Sequence, residues 1–81
     1  MLTLYVRPGC GFCAKVLEAG EELGIDFDLK SSSDAANVAE LMARGGKAQF
    51  PYLVDTERGV EMYESEDIID YLHEHYKKDA S

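Results

Sequence analysis

The spacing of apolar positions divides the chain into strands and helices. Leu2 to Val6 mixes apolar and β-branched residues and stops at Arg7-Pro8-Gly9, which predicts a short buried strand and then a turn. From Gly11 the spacing becomes helical. Cys13, Val16, Leu17, Gly20 and Leu23 form one face, Glu18, Glu21 and Glu22 take the wet face, and Gly24 is placed to end the helix. Phe27 and Leu29 alternate with Asp26, Asp28 and Lys30, predicting a second strand with one apolar face. After a polar link at residues 31–33, Ser33 or Asp34 caps a second helix that turns Val38, Leu41 and Met42 inward and stops at Gly45-Gly46. Tyr52-Leu53-Val54 and residues 60–63 are two further strands. The turn between them is so short that they pair as an antiparallel hairpin. Ser65 is expected to cap the last helix, in which Ile68, Tyr71, Leu72, His75 and Tyr76 recur at helical spacing. Lys77 and Lys78 then place positive charge at its C-terminal end.

The order is therefore β-α-β-α-β-β-α. A helix joins the first two strands, so they are expected to run parallel through a right-handed crossover. The whole is an α/β fold, one four-stranded mixed sheet with helices on its faces. At 81 residues it is a single domain, 1–81.

Charge narrows the choice of ligand. Eight Lys and Arg against sixteen Asp and Glu give a net charge of −8. A surface this acidic repels phosphate backbones, so neither nucleic acid nor an anionic membrane is an expected partner. No apolar run approaches the roughly 18–20 residues of a membrane span, and the N-terminus shows no basic leader before an apolar stretch. The expected setting is a reducing cytoplasm and the expected state a monomer. Two cysteines three positions apart make no disulfide framework. In such a compartment a close pair points to redox chemistry or metal binding.

Cys10-Gly11-Phe12-Cys13 falls where the first strand hands over to the first helix. A cysteine there faces unpaired backbone N–H groups and the positive end of the helix dipole, which favour thiolate over thiol. Arg7 and Lys15 add positive charge nearby. The Cys10 thiol is thus expected below its free value of about 8.5, with Cys13, one turn further in, less exposed. Cys10 is the candidate nucleophile and Cys13 the resolving thiol. Zinc requires four ligands, and the remaining candidates, His73 and His75, lie two apart on a distant helix and point in different directions. No metal is therefore expected. An inert buried pair is the other alternative, and Gly9 and Gly11 beside Cys10 argue against it.

Gln49-Phe50-Pro51-Tyr52 is the second feature. Proline is tolerated where a strand opens, in ordinary trans form or as a cis X–Pro bond. The cis form turns the Phe50 backbone groups outward, where an extended peptide can pair with them.

Arg7-Pro8-Gly9-Cys10-Gly11-Phe12-Cys13, followed by Phe50-Pro51 before a Tyr-Leu-Val-Asp strand, resembles the glutaredoxins of the thioredoxin-fold superfamily over nearly the whole chain. The resemblance implies a thioredoxin-like fold, a cis-Pro51 next to Cys10, and Cys10 as the attacking thiol. It also implies glutathione as reductant, Arg7 as support for the thiolate, and Lys47 at the glycine carboxylate of glutathione. The sequence departs from that family in two places. Its Cys-Gly-Phe-Cys mixes the dithiol and monothiol motifs. Residues 62–67 lack the usual Gly-Gly pair, and Glu64-Ser65 followed by Ile and Tyr-Leu looks like the N-terminal domain of glutathione S-transferases. Those enzymes carry a further helical domain, which this sequence is not expected to have. Glutathione is then expected to pair with the Phe50 backbone beside Pro51, and the transferase likeness makes Glu64 and Ser65 further contacts. Ser65 and the last helix's first amides then meet the γ-glutamyl carboxylate, and the acidic first turn meets its amine. That turn also simply complements the helix dipole. The expected function is glutathione-linked thiol–disulfide exchange on disulfide-containing proteins. The alternatives are a glutathione-binding module of the transferase type and a carrier of a glutathione-ligated [2Fe–2S] cluster.

Overall fold

The computed structural model describes residues 2–76. Its elements run β1 (Leu2–Val6), α1 (Gly11–Glu22), β2 (Asp28–Ser31), α2 (Ala35–Gly45), β3 (Tyr52–Asp55), β4 (Val60–Met62) and α3 (Ser65–His75). The sheet order is β2-β1-β3-β4. β1 pairs parallel with β2 and antiparallel with β3, and β3 pairs antiparallel with β4. This is the thioredoxin-like arrangement, with β1 and β3 central.

The two-residue alternation of the central strands assigns each helix its side of the sheet. Leu2 and Leu4 of β1 and Leu53 of β3 face Val16 of α1 and Ile68, Tyr71 and Leu72 of α3. Tyr5, Tyr52 and Val54 point the other way, onto Leu41 of α2. Leu4, Val16, Leu41, Leu53, Ile68 and Leu72 are fully buried. Each contributes about 1.5–3 kcal/mol from leaving water.

Three expectations need correction. β2 begins at Asp28, and Leu29 on it is exposed. As an edge strand, β2 gains its place from backbone pairing to β1 and needs no apolar face of its own. Phe27 lies just before β2 and packs on α1, where a side chain at Gly20 would overlap its ring. Met42 is likewise exposed, because α2 seats only Leu41 deeply. The third correction concerns the start of α3. Its N-cap is Glu64, in the left-handed region at φ 69°, and Ser65 is the first helical residue. Asp34 caps α2, accepting from the Ala36 N–H at 2.9 Å. The placement of charge at Lys77 and Lys78 lies outside the described residues.

Asp55 ties the far ends of the fold together. It is fully buried at the end of β3 and accepts from the hydroxyls of Tyr71 and Tyr76, each at 2.6 Å. The Glu57 and Arg58 N–H groups also reach it, at 3.1 and 3.3 Å. Burial pushes its carboxyl up, but these donors outweigh burial and hold it below the usual carboxylate range.

Candidate functional site

Cys10 is the N-cap of α1, with extended φ and ψ of −85° and 119°. The turn at Pro8-Gly9 brings its N–H to the Arg7 carbonyl at 3.1 Å. The backbone amide of Cys13 lowers the Cys10 pKa; burial opposes this, while the Cys13 thiol, the Phe12 amide and the Arg7 charge all lower it further. The net result is a thiol held below its ordinary value. Cys13 behaves oppositely. It is buried, and burial together with the neighbouring Cys10 raises its thiol even though the Arg7 region works the other way. Both cysteines are free thiols.

Lys15, the other cation expected near the sulfur, packs on the exposed side chain of the same segment. Its ammonium lies over the Phe12 ring, 5.8 Å from the centroid. Phe12 itself is 61% exposed. It forms one wall of a cleft of about 200 Å³ completed by Gln49, Phe50, Pro51, Glu64 and Ser65. Phe12, Glu64 and Ser65 continue into a neighbouring hollow bordered by Lys15, Glu66 and Asp67. Ser65 lines both although only 7% of it is exposed. The Phe50–Pro51 peptide is cis.

The structure thus gathers Phe50, Pro51, Glu64 and Ser65 around one cleft, with Phe12, two residues along the chain from Cys10, in the same lining. Cys10 borders a second hollow, of about 450 Å³, with Val6, Pro8, Ala14 and Leu17 among its apolar walls. Lys47 stands apart from the cleft lining. Its ammonium lies over the Tyr63 ring, 5.5 Å from the centroid. Two cleft residues were not singled out as contacts from the sequence. Gln49 donates to the Glu64 carboxylate at 3.1 Å, and Phe12 lines the cleft from the first turn of α1. The intervening position of Phe12 in the Cys-x-x-Cys segment was the available signal. Among the described residues no group of three or more His, Cys, Asp or Glu is placed to hold a metal ion.

The sheet order β2-β1-β3-β4 with a cis-proline before β3 defines a thioredoxin-fold domain. Within that class the sequence resolves further. The family model described as glutathione S-transferase, N-terminal domain, matches residues 4–80, and the chain belongs to that family. The match favours the likeness carried by Glu64-Ser65 over the glutaredoxin likeness carried by the cysteine motif. Solved structures agree. A delta-class glutathione transferase of Nilaparvata lugens superposes with a TM-score of 0.82 at 30% identity, covering 98% of this chain and 38% of that one. A glutathione S-transferase from the Antarctic clam Laternula elliptica gives 0.80 at 30% identity, covering 95% and 36%. A glutathione transferase homologue from Sulfitobacter, with bound glutathione, gives 0.75 at 25% identity, covering 91% and 36%. The chain therefore spans little more than a third of the length of these structures. Comparison with curated proteins gives no match.

Proposed function

We propose that this chain binds glutathione as a transferase-type N-terminal domain, and that Cys10 adds thiol–disulfide exchange to that binding. The observation that carries the reading is Cys10 at the α1 N-terminus, its thiol held below the ordinary value, with Phe12 of the same first turn lining the cleft of Phe50, Pro51, Glu64 and Ser65. The glutathione-bound Sulfitobacter homologue supports the ligand.

In this reading the cysteinyl part of glutathione lies along the Phe50 backbone. Its γ-glutamyl carboxylate meets the Ser65 hydroxyl and the first amides of α3. The Glu64 carboxylate and the acidic first turn hold its amine, and Lys47 is the cation available for its glycine carboxylate. The Cys10 thiolate attacks the glutathione sulfur of a mixed disulfide. That S–S bond breaks, the substrate sulfur leaves as a thiolate and takes a proton from water, and Cys10 is left bonded to glutathione. A second glutathione thiolate attacks this bond, releasing glutathione disulfide and restoring Cys10. With a protein disulfide, Cys10 attacks one sulfur and the other leaves as a thiolate. Cys13 then loses its proton and attacks the Cys10 sulfur of this mixed disulfide, and the second protein sulfur leaves as a thiolate. Two glutathiones reduce the Cys10–Cys13 disulfide to two thiols, forming glutathione disulfide.

The family match favours a second reading, glutathione binding without turnover. Calorimetric titration of glutathione into wild type and Cys10→Ser separates the two. Binding by both proteins, with loss of mixed-disulfide reduction only in Cys10→Ser, is the expected result. Binding by both with no reduction by wild type leaves the binding module alone. No binding by either overturns the proposal.

A further inference from the structure

Tyr63 belongs to neither the cysteine motif nor the cleft lining, yet it grips the segment that enters the cleft. The Lys47 N–H donates to the Tyr63 hydroxyl at 3.3 Å, and that hydroxyl donates to the Lys47 carbonyl at 2.9 Å. One phenol therefore satisfies both polar groups of a single loop residue. The Lys47 ammonium closes over the same ring. Beneath, the ring packs on Tyr52 of β3 with centroids 4.4 Å apart. The loop is held to the sheet at a point two residues before Gln49, where its cleft wall begins.

Two neighbours fit this arrangement. Gly45, the last residue of α2, leaves the space that the phenol occupies, since a Cβ there would overlap the Tyr63 hydroxyl. Tyr63 also directly precedes Glu64 and Ser65, which form the opposite wall. Gln49 and Glu64 then meet across the cleft at 3.1 Å. Tyr63 is therefore placed between the two walls, in covalent continuity with one and hydrogen-bonded to the backbone of the other.

We infer that Tyr63 is a positioning residue that fixes the width of the glutathione cleft by clamping Lys47. The inference rests on the proposed glutathione site. Tyr63→Phe keeps the ring, its packing on Tyr52 and its contact with the Lys47 ammonium. It deletes only the hydroxyl that holds the backbone. Loss of those two hydrogen bonds should weaken glutathione affinity by about fivefold, the effect of roughly one net hydrogen bond. Cys10 is untouched, so its alkylation rate by iodoacetamide should stay within about twofold of wild type, as should kcat at saturating glutathione. A purely structural role would leave the KM-to-kcat split unmoved.

The test combines amide exchange at Lys47 with glutathione titration, on wild type and Tyr63→Phe. Faster Lys47 exchange together with about fivefold weaker glutathione binding supports the clamp. Faster exchange with unchanged binding overturns the positioning role and leaves the proposed function standing. Unchanged exchange overturns the clamp itself. Absence of glutathione binding by wild type overturns the proposed function, and this inference with it. Should Tyr63→Phe fail to fold, Gly45→Ala disturbs the same hydroxyl from the α2 side and is read by the same two measurements and the same outcomes.

Discussion

Cys10 and Cys13 share one helical turn and meet opposite surroundings. Backbone donors and the Arg7 charge favour the Cys10 thiolate, while burial favours the Cys13 thiol. Cys10 should therefore ionise below the free value of about 8.5 and Cys13 above it. An ultraviolet thiolate titration of each single-serine variant checks this, and a Cys10 transition above about 8.5 contradicts it. Because the thiolate is the reacting species, exchange rates should rise with pH through the Cys10 value and then level off. Asp55 gives the second prediction at this scale. Its carboxyl is held below the unfolded value of about 3.9. Its contribution to stability is thus fully present above about pH 4 and is lost as pH falls through the lower, folded value. Asp55→Asn removes the charge that the Tyr71 and Tyr76 hydroxyls serve and should cost about 1–3 kcal/mol. Denaturant melts at neutral and acid pH should show the variant and wild type converging in acid. Parallel curves would count against the charge as the cause.

Among the elements, α3 is where the structure most changes the expectation. Ser65 reads as a cap from its place before an apolar helical stripe, but the chain enters α3 through Glu64 in left-handed conformation and Ser65 is already helical. Ser65→Ala should consequently lose less than the roughly 0.5–2 kcal/mol expected of an N-cap, while glutathione binding weakens. Melting temperature and glutathione titration measured together decide the matter. A large fall in melting temperature with unchanged binding would restore the capping role. The rest of the element pattern was legible because burial and spacing agree. Val16, Ile68 and Leu72 lie on the predicted faces, and Tyr52-Leu53-Val54 is a buried strand. It failed at Leu29 and Met42, on an edge strand and on a helix with one deep anchor. There, backbone pairing to β1 holds the strand and Leu41 alone anchors the helix, with polar ties at the surface beside them. Those ties run from Lys30 to Glu40 at 3.1 Å, from Arg44 to Glu61 at 3.4 Å and from the Tyr5 hydroxyl to Glu40.

For the whole molecule, the cysteine motif and the Phe50-Pro51 step were visible in the sequence because each is local. The Lys47–Tyr63 and Gln49–Glu64 contacts were not, because they join residues about fifteen positions apart through the sheet. The family, too, turns on the pairing of two distant features. The Cys-x-x-Cys segment with Phe50-Pro51 resembles the glutaredoxins, whereas the chain belongs with the transferase N-terminal domains, as Glu64-Ser65 suggests. The proposed function joins a transferase-type cleft to Cys10 as nucleophile. Its most direct test is glutathione-coupled reduction of a glutathione mixed disulfide by wild type, Cys13→Ser and Cys10→Ser. Wild type and Cys13→Ser should both turn over, since a second glutathione clears Cys10, and Cys10→Ser should be inactive while still binding glutathione. Turnover by Cys10→Ser, or equal loss in both variants, would contradict the assignment of Cys10 as the attacking thiol.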